Sequence, residues 1–225
     1  MKNILVIAAH PDDEVLGCGG TMARLSKKGS LVNILIVAEG ITSRDKERDI
    51  KKRSKDILKL RRDARSSAKV LGAKSINFLD YPDNRLDTVP LLDIVKDIEL
   101  FIKKFKPDVV FTHSENDMNI DHSIVSRASL TACRPLPNST VKKVYVFEVL
   151  SSTEYNPYST FQPNYFVNIE KVINKKVNAL KKYKSEMRAS PHPRSIKASK
   201  DLASLRGSGV GLKYVEAFRL LREIF

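Results

Sequence analysis

Blocks of apolar residues alternate with amphipathic blocks along most of this chain. NILVIAA (3–9), LVNILIVA (31–38), SINFLDY (75–81), PDVVFTH (107–113) and VKKVYVFEVL (141–150) are short runs rich in Val, Ile and Phe. Each has the length of a strand, and near-continuous hydrophobicity is what a strand covered on both faces shows. Between them, apolar residues recur at helical spacing in VLGCGGTMARLSKKG, in a long stretch from about Arg44 to Leu71 stopped by Gly72, in TVPLLDIVKDIELFIKKF and in DHSIVSRASLTACR. Strand–helix alternation predicts an α/β fold with a mainly parallel sheet and helices on both faces. Beyond Pro137 the pattern loosens. Pro137, Pro157 and Pro163 punctuate a loop-rich region, and YFVNI offers an edge strand. One helix is expected from about Glu170 to Met187 and a last one near KYVEAFRLLREIF. With no internal repeat or long linker, residues 1–225 read as a single domain.

In open parallel sheets, ligands bind outside the carboxyl ends of the strands. His10, Asp12 and Asp13 follow the first predicted strand, Asp80 and Asp83 the third, and His113, Asp117, Asp121 and His122 the fourth. Three consecutive acids in HPDDE repel one another. A dication would offset that repulsion, and imidazole with carboxylate suits Zn²⁺. The structural alternative is a turn feeding a helix N-terminus, where acids meet the helix dipole favourably. Glu14 is assigned mainly to that role.

Composition changes this picture little. The formal charge of +14 suits anionic partners such as phosphates, nucleic acid or an acidic membrane face. The basic residues, however, are scattered along helix-like segments, where solvated faces explain them. Two cysteines, Cys18 and Cys133, are too few for a disulfide framework and read as buried free thiols. No apolar run reaches bilayer length, and the first acids come too early for a signal peptide, so a cytoplasmic protein is expected.

The segments AAHPDDEVLGCGGTMARL, LRRDARSSAKVLG, NFLDYPDNRLD, PDVVFTHSENDMNIDH and SPHPRS together resemble the LmbE-like, or PIG-L, family of zinc-dependent N-deacetylases over nearly the whole chain. The resemblance implies a Rossmann-like fold and removal of acetyl groups from N-acetylated amino sugars. By position it implies His10, Asp13 and His122 as zinc ligands, with Asp12 as general base. A zinc ion would lower the pKa of water towards about 7 and polarise the acetyl carbonyl, while Asp12 takes the water's proton. His₂Asp sites accept other divalent ions too.

One position departs from the pattern. Many members carry a second histidine where this chain has Asn119; asparagine donates a hydrogen bond but cannot serve as a histidine-like acid. His192 in SPHPRS resembles a late family histidine that approaches the site, sometimes from a neighbouring subunit, which leaves a homo-oligomer open. It is expected to stabilise the oxyanion or to donate a proton, against the plain reading of a rigid surface turn. Asp121 is expected to orient a ligand, or to cap the following helix. Arg61, with Arg62 as a rival in register, resembles a substrate-binding arginine, and a solvated helix face is the alternative. Asp83 and Asn84 suit sugar hydroxyls or an Asx-type turn equally.

Other classes fare worse. GCGGTM places Met22 at the third glycine position of a dinucleotide fingerprint, and neither a GxSxG elbow nor a P-loop is present. A basic nucleic-acid-binding module has the charge but no recognised motif, so no specific nucleic acid is expected as partner. LTACRPLPNS, EVLSSTEYN and SPHPRS resemble a branch associated with surface-glycan genes. That implies an N-acetylhexosamine linked to a nucleotide or lipid diphosphate, with an N-acyl thiol glycoside as the alternative substrate.

Overall fold

The computed structural model describes residues 2–225. Its elements run β1 (Asn3–Ala8), α1 (Asp13–Lys27), β2 (Leu31–Ala38), α2 (Ile50–Leu71), β3 (Ser75–Tyr81), α3 (Leu91–Phe105), β4 (Val109–His113), α4 (Ile120–Ala132), β5 (Lys143–Phe147), β6 (Tyr165–Asn168), α5 (Ile173–Leu180), α6 (Ile196–Ser208) and β7 (Val215–Glu223). They build one seven-stranded sheet in the order β3-β2-β1-β4-β5-β7-β6. The five strands β3 to β5 in that order pair in parallel, and β7 runs antiparallel to both β5 and β6.

Strand alternation creates two cores. Ile4, Val6 and Ala8 of β1 join the apolar faces of α1, α2 and α5 on one side, while Leu5, Ile7 and Ala9 join α3 and α4 on the other. Val6 faces Ile34 of β2 and Phe111 of β4, so β1 is the centre of the parallel portion. The chain leaves β1 for β2 and β3 in one direction and returns to β4 on β1's other side. That reversal makes a topological switch point, and the crevice above it receives the loops after β1 and β4. Gly17 brings α1 close to the sheet: a Cβ there would stand 2.2 Å from Phe147 Cδ2.

The parallel half matches the sequence expectation; the C-terminal part corrects it. KYVEAFRLLREIF forms strand β7, not a last helix. Its alternation was masked by Glu216, a charged residue that the fold buries beside Lys176. A helix absent from the sequence reading, α6, starts where the Ser195 side chain accepts the Ala198 N–H at 3.0 Å. The stretch read as one helix to Met187 ends as α5 at Leu180 and continues in turns. Helix α2 begins at Ile50, six residues later than expected from Arg44, because Asp49 caps it by accepting the Lys52 N–H at 2.9 Å. No helix among the described residues is long and apolar enough to cross a membrane.

Candidate active site

β1 ends at Ala8, and the chain turns through Ala9-His10-Pro11-Asp12 into α1. Asp12 holds a left-handed φ of 114°, uncommon for a residue with a Cβ. The turn is fixed from both sides. The Asp12 carbonyl accepts the Val15 and Leu16 N–H groups at 2.9 Å, and its own N–H donates to Glu14 Oε2 at 3.0 Å. The Tyr183 hydroxyl donates to the other oxygen of Glu14. Glu14 is thus the brace of the turn rather than a group facing the cavity.

His10, Asp13 and His122 each offer a ligand atom, all within 4.8 Å of one another and all buried. His10 Nδ1 lies 3.2 Å from Asp13 Oδ2. His122 Nε2 stands 3.0 Å from the same oxygen but out of line for a hydrogen bond, and it is buried with no hydrogen-bond partner, as is Asp13 Oδ1. Each imidazole is held at its far nitrogen by another carboxylate. Asp121 Oδ2 sits 2.9 Å from His10 Nε2, and Asp117 Oδ2 sits 3.1 Å from His122 Nδ1. Two carboxylate-held imidazoles whose other nitrogens lie 3.2 and 3.0 Å from one Asp13 oxygen form a donor set for a divalent metal. Buried polar atoms without partners are otherwise costly, so these residues fit such an ion.

Burial and charge act strongly here. Burial pulls the His122 imidazole down, but Asp13 and Asp117 outweigh it and lift its pKa to about 9. His10 is raised in the same way, its burial outweighed by Asp121 and Asp13. Asp13, despite burial, is held well below the ordinary carboxylate range by the two histidines. Asp12 goes the other way: burial pushes its carboxyl up, opposed chiefly by the Arg194 guanidinium. Two adjacent aspartates therefore differ in kind. Asp13 is an anion locked among histidines, whereas Asp12 is a buried carboxylate beside one arginine, with its Oδ1 unpartnered.

The crevice above the cluster is a cavity of about 220 Å³, lined among others by His10, Asp12, Asp83, Asn119 and Arg194. Asp83 is buried, accepts the Ser43 N–H and hydroxyl, and lies 3.3 Å from His10 Nε2. Asn119 caps α4, accepting the Asp121 N–H at 2.9 Å, while its amide donates to Asn84 at 2.9 Å. The cap of that helix is therefore Asn119; Asp121 instead accepts from the backbone of Asn84 and Leu86 and contacts His10. His113 is buried behind the cluster, its Nε2 accepting the Ala9 N–H at 2.8 Å, and burial holds its pKa near 3.

Two residues named from the sequence lie elsewhere. Arg61 pairs with Asp80 and stacks on Phe78, lining a separate cavity beside β3. His192 is exposed, outside the cavity lining, with its Nδ1 accepting the Arg194 N–H at 3.0 Å. It is Arg194, two residues on, that enters the cavity. Its Nη1 lies 3.4 Å from Asp12 Oδ2 and 3.8 Å from Glu186 Oε2, and its Nε donates to the Ser151 hydroxyl at 2.9 Å. Sequence reasoning missed Arg194 and the role of Asp117. SPHPRS drew attention to its histidine, and Asp117 stood five residues from His122 without a motif to mark it.

A parallel α/β sheet with a buried His₂Asp donor set and a free carboxylate at its switch point defines a metal-binding enzyme-like class of protein. Within that class, residues 5–133, which include both histidine–aspartate boxes, match the family model PIG-L, GlcNAc-PI de-N-acetylase; the chain belongs to this family. It is 32% identical over 190 residues to the uncharacterized deacetylase YaiS of Escherichia coli strain K12, covering 82% of this chain and 91% of that one. It is 28% identical to the diacetylchitobiose deacetylase of Thermococcus kodakarensis, covering 100% and 85% respectively. Among solved structures, N,N'-diacetylchitobiose deacetylase from Pyrococcus horikoshii superposes with a TM-score of 0.79 at 24% identity, covering 98% of this chain and 84% of that one. At that identity the likeness is one of fold.

Proposed function

We propose that this chain is a divalent-metal-dependent N-deacetylase that hydrolyses the acetamido group of an N-acetylhexosamine of the GlcNAc type. The observation that carries the reading is that His122 Nε2 and Asp13 Oδ1 are buried without hydrogen-bond partners in a group that, with His10, brings three ligand atoms within 4.8 Å of one another. Family membership supports it, as do two relatives whose names describe deacetylases. A divalent ion, with zinc the first expectation, would be held by His10, Asp13 and His122; such an ion supplies Lewis acidity and an acidified water.

The remaining work falls to side chains of this chain. Asp12, outside the donor set and in the cavity lining, takes a proton from the attacking water as general base. Arg194 holds the Asp12 carboxylate in place. Asp121 and Asp117 fix the orientation of the two imidazoles. Asp83, Asn84 and Asn119 present polar groups where sugar hydroxyls would lie. Arg188 lines the same cavity without an ion-pair partner among the described residues, whereas Arg44 and Arg194 pair with Glu186 and Asp12. The cation supports a substrate with a nucleotide or lipid diphosphate on the sugar, and the protein is assigned to the cytoplasm. The test is an acetate-release screen of zinc-loaded protein against free, nucleotide-linked and lipid-linked N-acetylhexosamines. Release from a phosphorylated member is expected, abolished by a chelator. No release from any member of the panel would overturn the reading.

A further inference from the structure

The positive charge is unevenly placed. Helix α3, on one face of the sheet, is balanced: Lys96, Lys103 and Lys104 are matched by Asp93, Asp97 and Glu99. Helix α2, on the opposite face, carries a dense series of lysines and arginines interrupted only by Asp56 and Asp63. Helix α5 packs against α2, and no acid lies between Lys171 and Ser185. Lys51, Lys55 and Lys59 of α2, and Lys181, Lys182 and Lys184 just beyond α5, are exposed and make no ion pair among the described residues. Like charges crowded on one face repel, so the arrangement costs stability unless an anion meets it.

That face borders the mouth of the active-site cavity. Arg44, in the loop that leads into α2, and Glu186 and Arg188, in the turns after α5, line the cavity. Short connections therefore tie the start of α2 and the end of α5 to the cavity wall. Two exposed aliphatic side chains border the lysines, Ile50 at 49% and Leu58 at 58% exposure, both on the wall of the cavity beside β3 that Arg61 lines. Helix α2 contains no aromatic residue, which argues against a single-stranded nucleic acid, for which stacking platforms are the rule. Lysines interleaved with exposed aliphatics are the signature of a surface that lies on an anionic bilayer, with the apolar groups entering the headgroup boundary.

We propose that the α2–α5 face docks on an anionic lipid bilayer and so sets the cavity mouth at the membrane surface. The inference does not depend on the deacetylase reading, because binding is measured without turnover. Co-sedimentation with phosphatidylcholine vesicles, with and without phosphatidylglycerol, tests it. Binding is expected only to the phosphatidylglycerol-containing vesicles and should weaken as salt screens the charges. The variant Lys51→Glu/Lys55→Glu/Lys59→Glu should lose on the order of a hundredfold in affinity. Lys96→Glu/Lys103→Glu/Lys104→Glu makes the same change in net charge on α3 and should bind as the parent does. Leu58→Ser should weaken lipid binding several-fold. Circular dichroism and melting check that each variant is folded, and Lys→Gln at the same three α2 positions replaces the reversal set if it is not. Three results would each overturn the proposal: no preference for phosphatidylglycerol, equal loss from both triple variants, or tighter binding to duplex DNA that ignores Leu58→Ser.

Discussion

His10 Nε2 lies 2.9 Å from Asp121 Oδ2, while Oδ1 of the same carboxylate accepts the Leu86 N–H at 3.0 Å. The Asn84 N–H donates to Oδ2 as well, at 2.7 Å. One buried carboxylate thus ties the loop after β3 to the imidazole after β1. With Nε2 donating to Asp121, the Nδ1 lone pair is directed at the cluster. Asp121→Asn keeps the shape but turns an acceptor into a donor, so either His10 or one backbone N–H loses its partner. Metal affinity should fall by roughly 10- to 100-fold, read by competition with a chromophoric chelator. Unchanged affinity would mean that the ring needs no such support.

Asp12→Asn separates chemistry from metal binding. Asparagine tolerates the left-handed backbone at this position and removes only the proton acceptor. We expect kcat to drop by about 10² to 10⁴-fold, with metal content by elemental analysis equal to that of the parent. Loss of the metal together with activity would instead place Asp12 within the donor set.

The parallel half of the fold was legible because β1, β2, β4 and β5 are buried almost throughout and read as apolar runs, with amphipathic helices between them. HPDDE and NIDH drew attention as acids and histidines after strand ends, but the roles assigned within them came chiefly from the family resemblance. What stayed hidden depended on contacts between distant segments. Glu216 disguised β7, since a charge inside a strand looks exposed until Lys176 is seen beside it. Arg194 reaches Asp12 across 182 residues, and no local pattern announces that approach. Arg61 is a further case: its sequence left the register open between it and Arg62, and its partner, Asp80, shows only in the fold.

The two thiols offer a check on the cores. Burial pushes the Cys133 thiol up to about 12, against the opposing effect of Arg222, and burial also raises Cys18 well above its ordinary value. A raised pKa lowers the thiolate fraction at pH 8, for Cys133 by on the order of a thousandfold relative to a free cysteine. Native protein should therefore resist iodoacetamide at pH 8, and moving to pH 9.5 should raise the Cys133 thiolate fraction roughly thirtyfold yet leave it below about one per cent. Full labelling is expected only after denaturation, by intact mass. Rapid native modification of either cysteine would show that its helix is not packed as described.

The buried pair between α5 and β7 sets the largest expected stability effect. Lys176 Nζ donates to Glu216 Oε1 at 2.7 Å and to the Leu16 carbonyl at 2.8 Å. Glu216 also accepts the Gly20 and Thr21 N–H groups, at 2.7 and 2.6 Å. Three elements, α1, α5 and β7, therefore meet at one carboxylate. Lys176→Met leaves that carboxylate buried with only two N–H donors, and breaking such a pair costs about 3–5 kcal/mol. Glu216→Gln added to Lys176→Met removes the stranded charge, so the double variant should be more stable than the sum of the two single losses predicts. Urea unfolding of the four proteins measures the coupling. A single-variant loss below about 1 kcal/mol would place the pair in water, and β7 would then be held to α1 by apolar packing alone.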